Sequence, residues 1–336
     1  MNKIILPAIV LLIAQIGFTI NLRMKAAQYA AFTPDAPFVS VDTYDLDQFI
    51  VVGREGNTVR LIREGGKWIL PDYFNADANG NQVAKILKNI TDARQGLAVA
   101  TSESGLQRFH VADDDFERHV ALHSEGQKVA GFYLGSAAGL RKSHARTENS
   151  REVITVNLST LDFGSTPEDW LDKTLVQIDK NTVHRIDFKE FSLLKKENAW
   201  LIEQEGAQTP ALQEEVNALL NTLNTISIEG ILAPDEAQKE GLATPALEFS
   251  VQYGKDSEQV YTLFKPEQEG DYTLQVTGHK NLFKVPTWQL EQLAGKTPEH
   301  YAPTPAPQPE ETSMEAMEQA QGGKQALESD KNGDIQ

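Results

Sequence analysis

Apolar residues recur in the same pattern twice along this chain. A short run that contains a tryptophan, Lys67–Leu70, precedes apolar positions spaced three and four residues apart, namely Val83, Ile86, Leu87 and Ile90. The same succession returns at Ala199 to Ile202 and then at Val216, Leu219, Leu220 and Leu223. Because everything shared is apolar, the repeat predicts a duplicated core rather than a duplicated active site.

The spacing predicts a hairpin and a helix in each copy. Residues 58–63 and 67–70 are extended runs joined by Gly65 and Gly66, a pair that supplies positive φ for a tight turn. The apolar stripe predicts a helix over 81–94, which Asp77 or Asn79 can cap. In the second copy, Thr209 is expected to cap the helix, with Pro210 in its first turn.

Further alternating runs predict strands over 116–123, 127–134, 246–253, 259–264 and 272–276. Aligning the two copies by their apolar residues predicts that Val153–Val156 in the first copy corresponds to Tyr272–Val276 in the second. The expected fold class is therefore α+β, with two similar tandem halves, each a mostly antiparallel sheet with one main covering helix, after an N-terminal transmembrane helix.

Composition divides the chain into five segments. We predict a transmembrane anchor at 1–25, a tether at 26–45, a first repeat at 46–172, a second repeat at 173–296, and a disordered Pro-rich acidic tail at 297–336. The tail carries too little apolar surface to offset the entropy of ordering it.

The N-terminal run from Ile4 to Ile20 has no charged residue and reaches the lower limit for spanning a bilayer. An uncleaved anchor is favoured over a signal peptide, because Arg23 and Lys25 separate the run from the small residues that follow. Cleavage remains the alternative. The simplest topology places the chain in a bacterial inner membrane with a single pass and its body in the periplasm.

The charge and residue types of the chain exclude several classes of partner and site. A net charge of −17 and a pI near 4.9 argue against a nucleic-acid surface, which needs clustered Lys and Arg. The chain has no cysteine, so disulfides, thiolate metal sites and cysteine nucleophiles are excluded. His119 and His123 face one side of a predicted strand, but solvent exposure explains them better than metal binding. We expect no metal and no cofactor.

Several of these features resemble a known family. The tryptophan, the capped helix with its apolar stripe, the Gly105 and Leu106 pair, the turn at 133–135 and the run at 169–175 are similar to the bacterial domain of unknown function 4340. The resemblance implies a membrane-anchored extracytoplasmic protein, often encoded near ABC-type transport systems of the gliding-motility kind. No catalytic residues are established for the family, so the resemblance assigns none to this chain. This chain has His144 and Ala145 before Arg146, where an aromatic residue is commoner.

The polar segment 135–146 is the nearest approach to a functional loop, and we predict a long hairpin loop there. The candidate binding residues are Ser136, Lys142, Ser143, His144 and Arg146. Their spacing matches neither a phosphate-binding loop nor a nucleophile elbow. Three tryptophans are assigned structural roles instead: Trp68, Trp170 and Trp200.

Two classes of function remain. The first is a non-enzymatic membrane-anchored periplasmic scaffold or accessory subunit, of an ABC-type transport or envelope system, with an inner-membrane or envelope protein as partner. The second is a periplasmic hydrolase or ligand-binding module that uses the 135–146 loop. Because the sequence matches no catalytic motif, it favours the scaffold or accessory subunit. A specific site is expected in that loop or where the halves meet, near Trp170.

Overall fold

The computed structural model describes Gln15 and residues 36–303, except 234–241, 243, 266–269, 292, 294 and 295. Apart from Gln15, the expected anchor lies outside the described residues, as do most of the expected tether and the tail from residue 304. Within the described part, no helix is long and apolar enough to cross a membrane.

The first half is a nine-stranded sheet with two helices. Its strands are β1 Gln48–Gly53, β2 Thr58–Glu64, β3 Lys67–Leu70, β4 Ala76–Asp77, β5 Ala98–Ala100, β6 Arg118–Ser124, β7 Gln127–Gly139, β8 Lys142–Thr147 and β9 Val153–Val156. Its helices are α1 Gly80–Asp92 and α2 Glu103–Arg108, followed by 3-10 turns at Thr160–Asp162 and Pro167–Asp169.

The second half repeats the plan. Its strands are β10 Val183–Phe188, β11 Ser192–Lys196, β12 Ala199–Gln204, β13 Ala207–Pro210, β14 Gly230–Ile231, β15 Leu247–Tyr253, β16 Ser257–Phe264, β17 Tyr272–Val276 and β18 Phe283–Val285. Its helices are α3 Gln213–Thr225, α4 Thr287–Leu290 and α5 Pro298–Tyr301.

The two sheets have the same strand order. The first runs β4-β3-β2-β1-β6-β7-β8-β9-β5 and the second runs β13-β12-β11-β10-β15-β16-β17-β18-β14. Every strand pairing among the described residues is antiparallel. The α+β plan of two similar halves is therefore confirmed.

The strand order corrects one part of the sequence alignment. β17, Tyr272–Val276, occupies the position of β8, whereas Val153–Val156 is β9 and corresponds to β18. The alignment slipped by one strand because β8 contains Ser143, His144 and Arg146, which carry no apolar alternation to match that of β17.

Local sequence explains the first hairpin and helix. Gly65 and Gly66 adopt φ of 56° and 85° between β2 and β3. The four stripe residues of α1 are all buried, and Asn79 caps the helix by accepting a hydrogen bond from the Gln82 amide at 3.0 Å. Both expectations are confirmed.

The expected start of the second helix is wrong. Thr209 and Pro210 belong to β13, where Thr209 pairs with Ile202, and α3 begins only at Gln213 after Leu212. A Thr-Pro pair suits a helix N-terminus, but a proline is also tolerated on an edge strand, because its missing N–H can face away from the ladder. Here the pairing with β12 decides the conformation.

The core is continuous across both halves. One hydrophobic cluster includes residues from each sheet and the stripes of α1 and α3. At the end of the first half, Asn79 donates its amide to the Trp170 carbonyl at 2.8 Å, and Trp170 is completely buried. Beyond it, Val176 and Ile178 are buried in the same cluster, and the Ile178 amide donates to the Leu223 carbonyl at 3.1 Å. The junction is therefore part of the core rather than a loose linker.

The ordered body extends past residue 297, where the acidic tail was expected to begin. Tyr301 is buried and accepts a hydrogen bond at its carbonyl from the Leu212 amide at 2.7 Å. Its ring packs near Phe188 and Phe191. The aromatic ring supplies the apolar contact area that the remaining tail composition lacks.

Candidate functional site

The segment 135–146 is a strand hairpin, so the expected long loop is wrong. β7 continues to Gly139 and pairs with β8 through Ala137 opposite Ser143 and Gly139 opposite Lys142. Two irregularities in register fall within this stretch. Bulges of this kind let a strand continue through polar and glycine-rich sequence, which hides it from pattern analysis.

Ser136 and His144 do meet in this hairpin. The His144 Nδ1 atom lies 3.1 Å from the Ser136 hydroxyl oxygen and 3.0 Å from the Ser136 carbonyl oxygen. A carbonyl oxygen only accepts hydrogen bonds, so the carbonyl contact is satisfied by the tautomer that carries the proton on Nδ1. A nucleophilic serine needs an unprotonated ring nitrogen as its base. In the Nδ1–H tautomer the contact fixes the hairpin instead of activating the hydroxyl.

The remaining candidates in the hairpin point in different directions. Strand alternation puts Lys142, His144 and Arg146 on one face of β8 and Ser143 on the other. Ser143 is buried beneath the sheet, whereas Lys142 is exposed at the turn. The five residues therefore do not converge on one pocket.

Arg146 is buried and bound on all sides. Its guanidinium donates to the Val111 carbonyl at 2.7 Å and to the Ser150 carbonyl at 3.2 Å, pairs with Asp113, and lies 4.4 Å from the Tyr133 ring centroid. These bonds tie two loops, the one between α2 and β6 and the one between β8 and β9, to β8. The arrangement satisfies a buried cation, as stability requires.

A polar network surrounds this arginine. The hydrogen bond from Arg146 lowers the pKa of Asp113. Burial raises the pKa of the Tyr133 hydroxyl, and the Asp113 carboxylate raises it further. Burial alone would raise the pKa of Glu148, but hydrogen bonds from Lys128 and His119 hold it below its usual value.

The side chains of His119 and His123 have different environments. His119 binds Glu148 at 2.6 Å and stacks on Tyr133, with ring centroids 4.5 Å apart. The Nδ1 atom of His123 is buried without a hydrogen-bond partner among the described residues. No group of three or more His, Asp or Glu side chains in the described part is placed to hold a metal ion.

A cleft of about 470 Å³ opens where the two halves meet. It is lined from the first half by Asp72, Tyr73, Phe74 and Glu168, and from the second half by Glu229, Gly230, Ile231, Ala233, Asp271 and Lys284. The Ile231 amide donates to the Tyr73 hydroxyl at 3.0 Å across the cleft floor. Neither half could form this cleft alone.

Gly230 keeps the floor of the cleft open. A Cβ atom at this position would lie 3.1 Å from the Tyr73 hydroxyl and 3.8 Å from Cγ of Glu168. Any side chain would therefore crowd the bond between Tyr73 and Ile231. Phe74, with φ of 55° and 39% exposure, presents an aromatic ring to the same space.

The cleft is acidic. Hydrogen bonds from Arg60, at 2.6 and 2.9 Å, lower the pKa of Asp72 and neutralise its charge. No described side chain donates a hydrogen bond to Glu168, Glu229 or Asp271, and Lys284 is the cation of the lining. Carboxylates beside an aromatic ring suit a Lys or Arg side chain, through charge and cation–π attraction.

Sequence reasoning placed a possible site near Trp170 but missed the residues that build it. Tyr73 and Ile231 are 158 positions apart, and each lies in a short segment without periodicity. The available signal was the position of the boundary, since clefts form where two domains or halves meet.

Comparison with known proteins gives one match. A family model described as Domain of unknown function (DUF4340) matches residues 68–245, which is more than half of the chain and includes Trp68, the second tryptophan hairpin and both covering helices. No curated protein and no solved structure matches.

Proposed function

Because the chain belongs to the DUF4340 family of domains of unknown function, we propose its function from its own residues. It is a non-enzymatic, membrane-anchored periplasmic scaffold or accessory subunit, of an ABC-type transport or envelope system. It holds a basic segment of an inner-membrane or envelope protein in the cleft between its halves. The observation that carries this proposal is the acidic cleft, which both halves build together.

The contacts between the two halves at the cleft support a scaffold role. The floor of the cleft is joined by the bond between Tyr73 and Ile231, and one hydrophobic core continues beneath it. A preformed site loses little conformational entropy when a partner binds, so more of the contact energy becomes affinity. The membrane attachment follows from the apolar run at residues 4–20.

The alternative, a hydrolase or ligand-binding module at 135–146, has weaker support. His144 Nδ1 already contacts the Ser136 carbonyl at 3.0 Å, and Arg146 is already paired with Asp113. Neither group is available to a substrate without first breaking these contacts. We therefore favour the cleft.

The test is recovery of a partner from detergent-solubilised membranes of the native cell, using the tagged full chain. The variant Glu168→Lys/Glu229→Lys/Asp271→Lys should reduce the recovered stoichiometric partner at least tenfold, because three charge contacts each contribute roughly 0.5–1 kcal/mol at a partly solvated interface.

The matched control makes the same change in charge on distant turns: Glu125→Lys/Glu197→Lys/Asp256→Lys. These residues are exposed in hairpin turns away from the cleft. The control should retain the partner. The proposal is wrong if no stoichiometric partner is recovered or if both triple variants lose it equally.

A further inference from the structure

The β7–β8 hairpin projects beyond the sheet and ends in an unusual turn. β6 pairs with β7 only as far as Leu134, so residues 135–139 extend past it. The turn that follows consists of Leu140, which is 93% exposed, and Arg141, with Lys142 next to it at the start of β8. An exposed leucine flanked by two cations stands out on a chain with a net charge of −17.

Two more exposed leucines lie at this end of the first sheet. Gly96 lies against Thr155, because a Cβ atom at Gly96 would be 2.6 Å from the Thr155 carbonyl oxygen. Thr155 pairs with His144 near the start of β8. Leu97 therefore lies at the same end of the sheet as the β7–β8 turn. Leu97 is 66% exposed. The 3-10 turn Thr160–Asp162 packs against β7 and carries Leu161, which is 90% exposed.

The chain also enters the body here. Gln95 donates its amide to the Ala36 carbonyl at 2.9 Å, and Phe38 donates to the Ala93 carbonyl at 2.8 Å. Residues 21–35 therefore connect the apolar run at 4–20 to this end of the sheet. Fifteen residues reach at most about 50 Å when fully extended, so the end is held at a high effective concentration near any membrane that the run enters.

The cations at this end have no carboxylate partner among the described residues. Arg94 donates only to the carbonyls of Thr91 and Ala93. Arg141 and Lys142 are exposed at the turn. Among the acidic residues, Asp162 is adjacent in sequence to one of the exposed leucines, Leu161. These three cations are therefore available to bind an anionic surface.

We propose that this end is a lipid-contact surface, which we call the hairpin end. It consists of Arg94, Leu97, Leu140, Arg141, Lys142 and Leu161. The leucines enter the interface between headgroups and acyl chains, while the cations bind lipid phosphates. The inference rests on the membrane attachment in the proposed function but concerns a different surface from the acidic cleft.

A lipid surface fits these residues better than a protein partner. Leucines with flanking Arg and Lys match an interface where apolar groups sink and long cationic side chains reach the phosphates. The point of entry of the chain already holds this end near the membrane. The acidic cleft lies at the opposite end of the strand order, next to β3 and β4.

The absence of cysteine allows a direct test with the full chain. Leu140→Cys is labelled with a polarity-sensitive fluorophore, and the protein is reconstituted into vesicles of phosphatidylcholine, with or without phosphatidylglycerol. We expect a blue shift and a several-fold increase in emission in the anionic vesicles, with quenching by brominated lipid. The same label at Glu125→Cys, in the turn at the other end of β7, should not respond.

Charge reversal supplies the second arm. Arg141→Glu/Lys142→Glu should reduce the increase at a labelled Leu97→Cys at least threefold, whereas Lys67→Glu/Lys255→Glu, at the exposed start of β3 and in an exposed turn after β15, should not. Circular dichroism checks that each variant is folded. The inference is overturned if the label responds equally in both vesicle types, or responds only when a protein partner is added.

Vesicle flotation separates this inference from the proposed function. A chain that floats with vesicles while the label at residue 140 stays exposed to water contradicts the hairpin end alone. A chain that does not float contradicts the membrane attachment itself. Partner recovery through the cleft should be unchanged in Arg141→Glu/Lys142→Glu.

Discussion

Single buried side chains join distant parts of the chain. Trp170 donates its indole N–H to the Gly164 carbonyl at 2.8 Å and meets the ring of Phe49 edge-on at 5.2 Å. Tyr261 donates its hydroxyl to the Val176 carbonyl at 2.7 Å. Each ring thus contributes apolar area to the core while its polar atom is satisfied, which avoids the cost of an unpaired buried donor.

Tyr261 should make stability sensitive to alkaline pH. Burial raises its pKa far above the ordinary value of 10.0, so the folded chain keeps a proton that the unfolded chain loses. The stabilisation is complete below pH 10 and falls above it, by about 1.4 kcal/mol per pH unit for each such tyrosine. Tyr301, whose pKa burial and then Glu215 raise, adds to the effect.

Urea unfolding at a series of pH values measures this dependence. Tyr261→Phe should reduce the slope of the unfolding free energy against pH above pH 10 by the contribution of one proton, about 1.4 kcal/mol per pH unit. The variant should also be less stable at neutral pH, because the Val176 carbonyl loses its hydrogen-bond donor. Tyr44→Phe, at an exposed ring, should leave the slope unchanged. An equal slope in Tyr261→Phe and the parent would contradict the assignment.

At the scale of elements, the two covering helices share a stripe but begin differently. α1 has a side-chain cap from Asn79, whereas Leu212 gives α3 none. Two bonds fix the chain just before α3 instead: the Gln213 side chain donates to the Ala211 carbonyl at 2.9 Å, and the Leu212 amide donates to the Tyr301 carbonyl. The start of α3 is therefore positioned by α5 and by its own first residue, without a side-chain cap on its first-turn amides.

Asn79→Ala should lower the free energy of unfolding by about 1 kcal/mol, since it removes the bond to the Gln82 amide. Asn81→Ala is the matched control, because Asn81 is exposed within the helix, and it should change stability by less than about 0.5 kcal/mol. Chemical denaturation measures both. A similar loss in both variants would mean that the cap contributes nothing specific.

Sequence patterns predicted the elements with strong periodicity and missed those defined by pairing. The stripe from Val83 to Ile90 and the turn at Gly65 encode their own conformation locally. β4, β5 and β14 are only two or three residues long, and they become strands because a neighbour supplies hydrogen bonds. Thr209 has helix-start chemistry, yet β12 recruits it into a sheet. The cleft depends on contacts that no local window contains.

At the scale of the molecule, the continuous core predicts one unfolding transition. One hydrophobic cluster contains Trp170 and Leu171 at the end of the first half and Val176 and Ile178 at the start of the second. Cooperative units follow contiguous packing, so the halves should not unfold separately.

Hydrogen exchange in increasing urea tests this expectation. Amides of β7 in the first half and of β16 in the second should lose protection at the same urea concentration. Tyr73→Phe, which removes a bond across the junction, should lower that concentration for both strands together. Loss of protection in β16 well before β7 would show two independent units.

The identical strand orders also bear on how the chain folds during synthesis. In the described residues, every strand pairs within its own half, and each half is one contiguous stretch of sequence. The ribosome releases the chain from its N-terminus, so β1 to β9 emerge before β10. The first sheet can therefore begin to pair its strands while the second is still being synthesised, which limits the time that unpaired strands are exposed to aggregation.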